Sequence, residues 1–406
     1  MRFDVDLAAM ESLRKLLERG SEDASSMRSY WEGNAGIDFL GEGVINLIQR
    51  SDDHVESSIG SYLDTLAGRT MPGLAEAIDM AARHYRATDQ AAAASIDSAL
   101  PGANVTAAAD GDVPIAFDYY RPAPSFSDAA DPGARLAGLP NFNQRMPYQP
   151  SWTDLSSPTS LLRDAIWSVT WLGMKLGVCD RQYDIAEVVL KPVLGDWAGM
   201  KATGVTMVNL SNAIVDLHSN LGRAILGIRG SWEGNAADAA VANLHEVRKS
   251  LLRTATALLK IGKEYDDAAE GCYDMSGTIG NILSDITDAA VAAAAGAAAT
   301  GALTASGAGV PIALLLGAFT VTKVYRVCKE VYTMIKIIAD MVSRVNAAVS
   351  AVDASAGDFG ILDVSDFGSA PLPPGPHTAP LTPPPPTPPP LTPPLLTSAP
   401  ADLGPR

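Results

Sequence analysis

Clustered positive charge is absent from this 406-residue chain. Thirty Lys and Arg stand against 46 Asp and Glu, a formal net charge of −16, and no basic block occurs. Neutralising phosphates needs grouped cations, so no nucleic acid partner is expected, and the composition implies an acidic, soluble surface. Cysteine is scarce. Cys179, Cys272 and Cys328 lie far apart without metal-ligand spacing, so no disulfide framework is expected, and the odd count leaves at least one thiol free. The start, MRFDVDLAAMESL, carries one Arg and then Asp4, Asp6 and Glu11, with no apolar run behind it. A Sec-type signal peptide is therefore not expected, and export would need another route. The five histidines (His54, His84, His218, His245, His377) are dispersed, and His245-Glu246 lacks the second His a zincin requires. No phosphate-binding Gly loop, nucleophile elbow or carboxylate pair stands out. The expectation is a non-enzymatic protein with no catalytic residue, no metal ligand and no cofactor.

Helical periodicity, by contrast, is abundant, and the fold class it predicts is all-α. Met10, Leu13, Leu17, Gly20, Ala24, Met27 and Trp31 recur at alternating steps of three and four, which places them on one helical face. Trp31-Glu32-Gly33-Asn34-Ala35 follows, then a second helical run with Leu40, Val44, Leu47, Ile48, Val55, Ile59, Tyr62 and Leu66. The GRTMPG stretch of 68–73 should interrupt that run, which resumes to about Leu100. Residues 1–99 thus read as a first helical hairpin. Residues 100–156, rich in Pro and Gly, read as a connecting segment. Tyr119, Tyr120, Phe142, Tyr148 and Trp152 suggest that parts of it lie against a helical surface. A second helical domain is expected over 157–365, with a helix start at Ser157-Pro158, a break at Gly195-Asp196-Trp197 and a long helix from about Thr203 to Gly230.

That helix leads into Trp232-Glu233-Gly234-Asn235-Ala236, the same five residues as 31–35. The flanks repeat as well. Leu13 and Ile214, Gly20 and Leu221, and Met27 and Ile228 stand 18, 11 and 4 residues before their tryptophans. This is an internal repeat in matched phase. The block suits a turn between antiparallel helices: Gly33 and Gly234 for a positive φ, Asn34 and Asn235 as N-caps, Asp38 and Asp238 near the new helix start. Trp31 and Trp232 would close the last turn of each first helix. Two further Trp-x-Gly sequences, at Trp171 and Trp197, lack the Asn-Ala and read as helix ends.

On these residues the two hairpins resemble the WXG family, the early secretory antigenic target-like substrates of type VII (ESX) secretion. The resemblance covers about 1–99 and 200–275, and the region from about 157 also resembles the N-terminal scaffold of WXG-type polymorphic toxins. It implies a four-helix bundle exported in folded form by a secretion ATPase, with a small WXG partner or chaperone. It further implies that a Trp-x-Gly turn acts together with a Tyr-x-x-x-Asp/Glu signal after a second helix. Tyr85-Arg86-Ala87-Thr88-Asp89 fits this pattern beyond the first hairpin, so Tyr85 and Asp89 are the candidate secretion signal, to act with the Trp31 turn. Tyr183 with Glu187 also fits the spacing, whereas Tyr265 is followed by Ala269.

Two segments remain. Residues 289–322 carry no charge and are dominated by Ala and Gly. They read either as a membrane span with a basic flank at Lys323, Arg326 and Lys329, or as half of an Ala/Gly-rich helical hairpin over about 289–351 able to associate with membranes. Residues 366–406 hold a PPPPTPPP run and read as a disordered polyproline II tail for a polyproline-recognising partner. Three functions follow: a secreted binding or assembly module, a membrane-active effector using 289–322, and a toxin-scaffold relative without a toxin domain. The first predicts a secreted or envelope-associated protein.

Overall fold

The heptad-like stripe forms α1, Leu7–Asn34, in a computed structural model that describes residues 4–39, 43–87, 126–142, 158–299, 321–355 and 357–359. Met10, Leu13, Leu17, Gly20, Ala24, Met27 and Trp31 are all buried along it, as their spacing requires. Asp6 caps its start, its Oδ1 accepting from the N–H of Ala8 at 2.9 Å and of Ala9 at 3.2 Å.

The next run departs from its expected form in two places. Val44–Leu47 is a 3₁₀ turn, with Leu47 exposed, and α2 begins only afterwards, at Gln49–Thr65. The GRTMPG stretch does not break the helix. Leu66–Thr70 is a π turn in which the Met71 N–H reaches back to Leu66 O, and α3, Met71–Ala87, continues from it. The π turn absorbs Pro72, which has no hydrogen to donate, near the start of α3. The remaining long helices are α4, Pro158–Lys175; α5, Trp197–Ser231; α6, Asn235–Ala299; and α7, Val321–Ser355. Trp197 opens a helix instead of ending one. Asp196 caps α5, accepting from the Gly199 N–H at 2.8 Å.

The described residues form one compact unit around a shared hydrophobic core. Helix α1 packs on α3 and α5, α5 packs on α6, and α7 lies against α6 and α4. Helix α6 is tied back to α2 by Tyr265, whose hydroxyl donates to Asp52 Oδ1 at 3.0 Å, and Tyr62 of α2 shares hydrogen bonds with Thr254 and Ser250 of α6. Where α5 crosses α6 the backbones touch. A Cβ at Gly204 would lie 2.8 Å from Gly262 O, and one at Gly262 would lie 2.7 Å from Gly204 O. Only glycine at both positions allows that approach.

Part of the connecting segment is a strap over α1 and α5, burying Phe126, Pro132 and Phe142. Asn220 Oδ1 accepts from the N–H groups of Ala129 (2.6 Å) and Ala130 (3.0 Å), and its Nδ2 donates to Ala130 O. Arg19 pairs with Asp128 and Arg135 with Asp216, at 2.8 and 2.7 Å. Tyr119, Tyr120, Tyr148 and Trp152 lie outside the described residues, as does the Pro-rich tail.

The cysteines require a correction. Cys179 and Cys328, 149 residues apart, are joined in a disulfide with Cα atoms 6.1 Å apart, leaving Cys272 as the free, buried thiol. Burial pushes the Cys272 thiol up to about 12, so it stays protonated and inert. The bridge links the segment after α4 to α7, a meeting that only the packing of those helices creates. Of the charge-free sequence, 289–299 continues α6, while 300–320 lies outside the described residues. Among the described residues, no helix is long and apolar enough to cross a membrane.

Candidate functional site: two tryptophan turns

The two identical pentapeptides adopt different conformations. At the first, α1 runs on through Gly33 to Asn34, whose Nδ2 donates to Tyr30 O at 2.8 Å. Gly33 is therefore helical and Asn34 is not an N-cap. The positive φ falls at Gly36 (+145°), whose N–H donates to Thr203 Oγ1 at 3.0 Å, and the Asp38 N–H donates to Asp196 Oδ2 at 3.2 Å. This turn is held against the start of α5 rather than folding back into a helix. Trp31 stays buried in the last turn of α1.

At the second block, the helix stops one residue before the tryptophan. Trp232–Glu233 is extended and pairs antiparallel with Asp4–Val5, with Val5 opposite Trp232 and Asp4 opposite Glu233. The Asp6 N–H donates to Ser231 O at 2.8 Å and continues the pairing. Gly234 takes a positive φ of 134°, the role expected of it. It also serves as the cap: its carbonyl accepts from the Asp238 N–H at 3.0 Å, which puts Asn235 inside the first turn of α6. Asp238 lies in that first turn, next to the positive end of the helix.

Tyr85, near the end of α3, packs on this second turn. Its ring meets Trp232 edge to face, centroids 6.2 Å apart and planes at 82°. Tyr85, expected to act in export with the Trp31 turn, has its ring contact with the other tryptophan, where Trp232 and the N-terminal strand meet. Trp232 is 4% exposed, and its buried Nε1 has no hydrogen-bond partner among the described residues. Asp89 lies outside the described residues. Tyr183, the other tyrosine with the right spacing, is a core residue whose hydroxyl donates to Asp180, and Glu187 pairs with Lys191. The contribution of Asp4–Val5 to the site had no sequence signal, since two residues show no periodicity.

No group of His, Cys, Asp or Glu among the described residues is arranged to hold a metal ion. No family model matches the chain, and neither a curated protein nor a solved structure matches it.

A buried link between the two halves is the Asp52–Tyr265 hydrogen bond. Burial pushes the Asp52 carboxyl up to about 6, opposed by the Tyr265 hydrogen bond and reinforced by Glu56 and Asp53. A carboxyl raised on folding favours the fold when protonated. Its contribution is complete below the ordinary value of 3.8 and is lost as pH rises through about 6. Asp52→Asn keeps the acceptor oxygen and removes the charge. The variant is expected to exceed wild type in stability by about 2–3 kcal/mol at neutral pH, the difference vanishing toward pH ~4. Urea unfolding of both proteins across that range checks this, and a difference independent of pH would refute it.

Proposed function

We propose that this chain is a non-enzymatic substrate of a type VII (ESX) secretion system, acting after export as a helical binding and assembly module. Its two Trp-Glu-Gly-Asn-Ala blocks are read as tandem WXG hairpins within one chain, each helix pair supplying the partner that the other would otherwise need. The observation that carries the reading is Tyr85 lying on Trp232. A tyrosine at the tail of one helix pair and a Trp-x-Gly turn of the other form one composite feature, in which the buried Trp232 positions the half-buried Tyr85 for a secretion ATPase to engage together with Asp89. The Cys179–Cys328 disulfide supports an oxidising destination outside the cytosol. A small WXG partner or chaperone, a polyproline-recognising partner for the tail and a membrane contact through 289–322 complete the proposed set of partners.

The test is export into the culture medium, with intracellular levels measured in parallel. Wild-type protein should disappear from the medium when the secretion ATPase is deleted. Tyr85→Ala and Asp89→Ala should be retained in the cell at normal abundance. Trp232→Phe should export less than Trp31→Phe, because only Trp232 touches Tyr85. Export independent of the ATPase would end the reading. Wild-type export of both the Tyr85 and Asp89 variants would remove these residues as the signal.

A further inference from the structure

The exposed face of α7 has a composition unlike the rest of this acidic chain. Thr322, Tyr325, Lys329, Tyr332, Lys336 and Ala339 follow one another at steps of three and four, all exposed and none acidic. Tyr325 is 57% and Tyr332 56% exposed, high values for tyrosine side chains. The opposite face, with Val324, Val327, Cys328, Val331 and Met334, is buried, so the helix is anchored and its orientation fixed. Lys336 Nζ sits 4.8 Å from the Tyr332 ring centroid, holding cation and ring together on the surface. Arg326 does not belong to this stripe, being engaged by Glu330 and Asp285. The adjoining α4 repeats the motif, with Trp171 exposed and Lys175 Nζ 5.8 Å from its ring centroid.

We infer that the Tyr325–Lys336 stripe of α7 is a peripheral docking face for an anionic lipid surface. Tyrosine has an apolar body and a polar tip, the combination that settles at a bilayer headgroup region, and lysine lays its apolar stem along such a surface with the ammonium at the phosphates. From Tyr325 to Lys336 the stripe spans about 16 Å, enough to lie along a headgroup layer without crossing it. Charge complementarity selects the occupant: the chain carries −16 overall, yet the two charges within the Tyr325–Lys336 stripe, Lys329 and Lys336, are both positive, and the first exposed acid along this face, Asp340, lies beyond its end, so an anionic plane is attracted to the stripe. The stripe also begins three residues after the charge-free sequence 289–322, which makes the adjoining sequence apolar rather than acidic. This inference is independent of the route of export.

Flotation of the full-length protein with lipid vesicles tests it. Binding is expected to vesicles containing phosphatidylglycerol and not to pure phosphatidylcholine, and to fall steeply with added salt. The exposed double variant Lys329→Gln/Lys336→Gln should bind about 30-fold more weakly, the loss expected for two surface lysines. Tyr325→Ser/Tyr332→Ser should also weaken binding, with circular dichroism unchanged for both. Three results would each overturn the assignment: no binding to phosphatidylglycerol vesicles, equal binding to both lipids, or wild-type binding by the lysine double variant.

Discussion

Trp232→Ala should lower the unfolding free energy by about 3–5 kcal/mol, measured by urea denaturation. The indole is 4% exposed and is enclosed between the Asp4–Val5 strand, the Tyr85 ring and the start of α6. Truncation leaves a cavity at a point where three separate pieces of chain meet, and it removes the edge-to-face contact, itself about 0.5–1.5 kcal/mol. Trp232→Phe separates volume from polarity. The indole N–H has no acceptor among the described residues, so its removal sacrifices none of their hydrogen bonds, and the phenylalanine variant should lose far less than the alanine variant. Equal losses in the two variants would mean that the Nε1 group carries the stability of the turn, against the packing role assigned to the ring. A loss below about 1 kcal/mol for Trp232→Ala would mean that the turn is not a packing centre at all.

Cys179→Ser should cost about 3–5 kcal/mol, the upper end being the chain-entropy value for the 149-residue separation closed by the bridge. The same loss is expected for Cys328→Ser, for the double variant, and for wild-type protein under reductant. Cys272→Ser should leave the response to reductant unchanged, because that thiol is buried away from the bridge. A wild-type protein whose stability ignores reductant would disprove the pairing.

Much of the helical core was readable from periodicity. Every residue assigned to the α1 stripe is buried, since a surface helix against a core must place its apolar residues at steps of three and four. The start of α4 at Pro158 was readable for a local reason, a fixed φ, and so was the break at Gly195-Asp196-Trp197, but the helix expected from about Thr203 starts six residues earlier, at Trp197, because Asp196 caps it. Local reasoning failed at GRTMPG, where a π turn accommodated the proline and kept α2 and α3 in one continuous run. It also failed at Leu47, which the stripe placed inward and a 3₁₀ turn rotated outward. The disulfide could not be read at all, because nothing in the spacing of three dispersed cysteines records that α4 and α7 are neighbours.

The repeated pentapeptide marks the boundary between the two kinds of information. The sequence alone determined that tryptophan would be buried at the end of a long helix at both 31 and 232, because the matched apolar stripes lead to both sites in the same phase. It could not determine which copy would form a tight turn. Backbone N–H and C=O groups take whatever partners the surroundings offer. At Trp232 the N-terminal strand offers a ladder, so the helix ends at Ser231, Gly234 turns, and α6 starts at once. At Trp31 no strand among the described residues is paired with the block, so the helical hydrogen bonds continue through Asn34, and the positive φ moves on to Gly36 beside Thr203. Identical residues thus diverge because their hydrogen-bonding neighbours come from distant chain, and that proximity exists only in the folded structure.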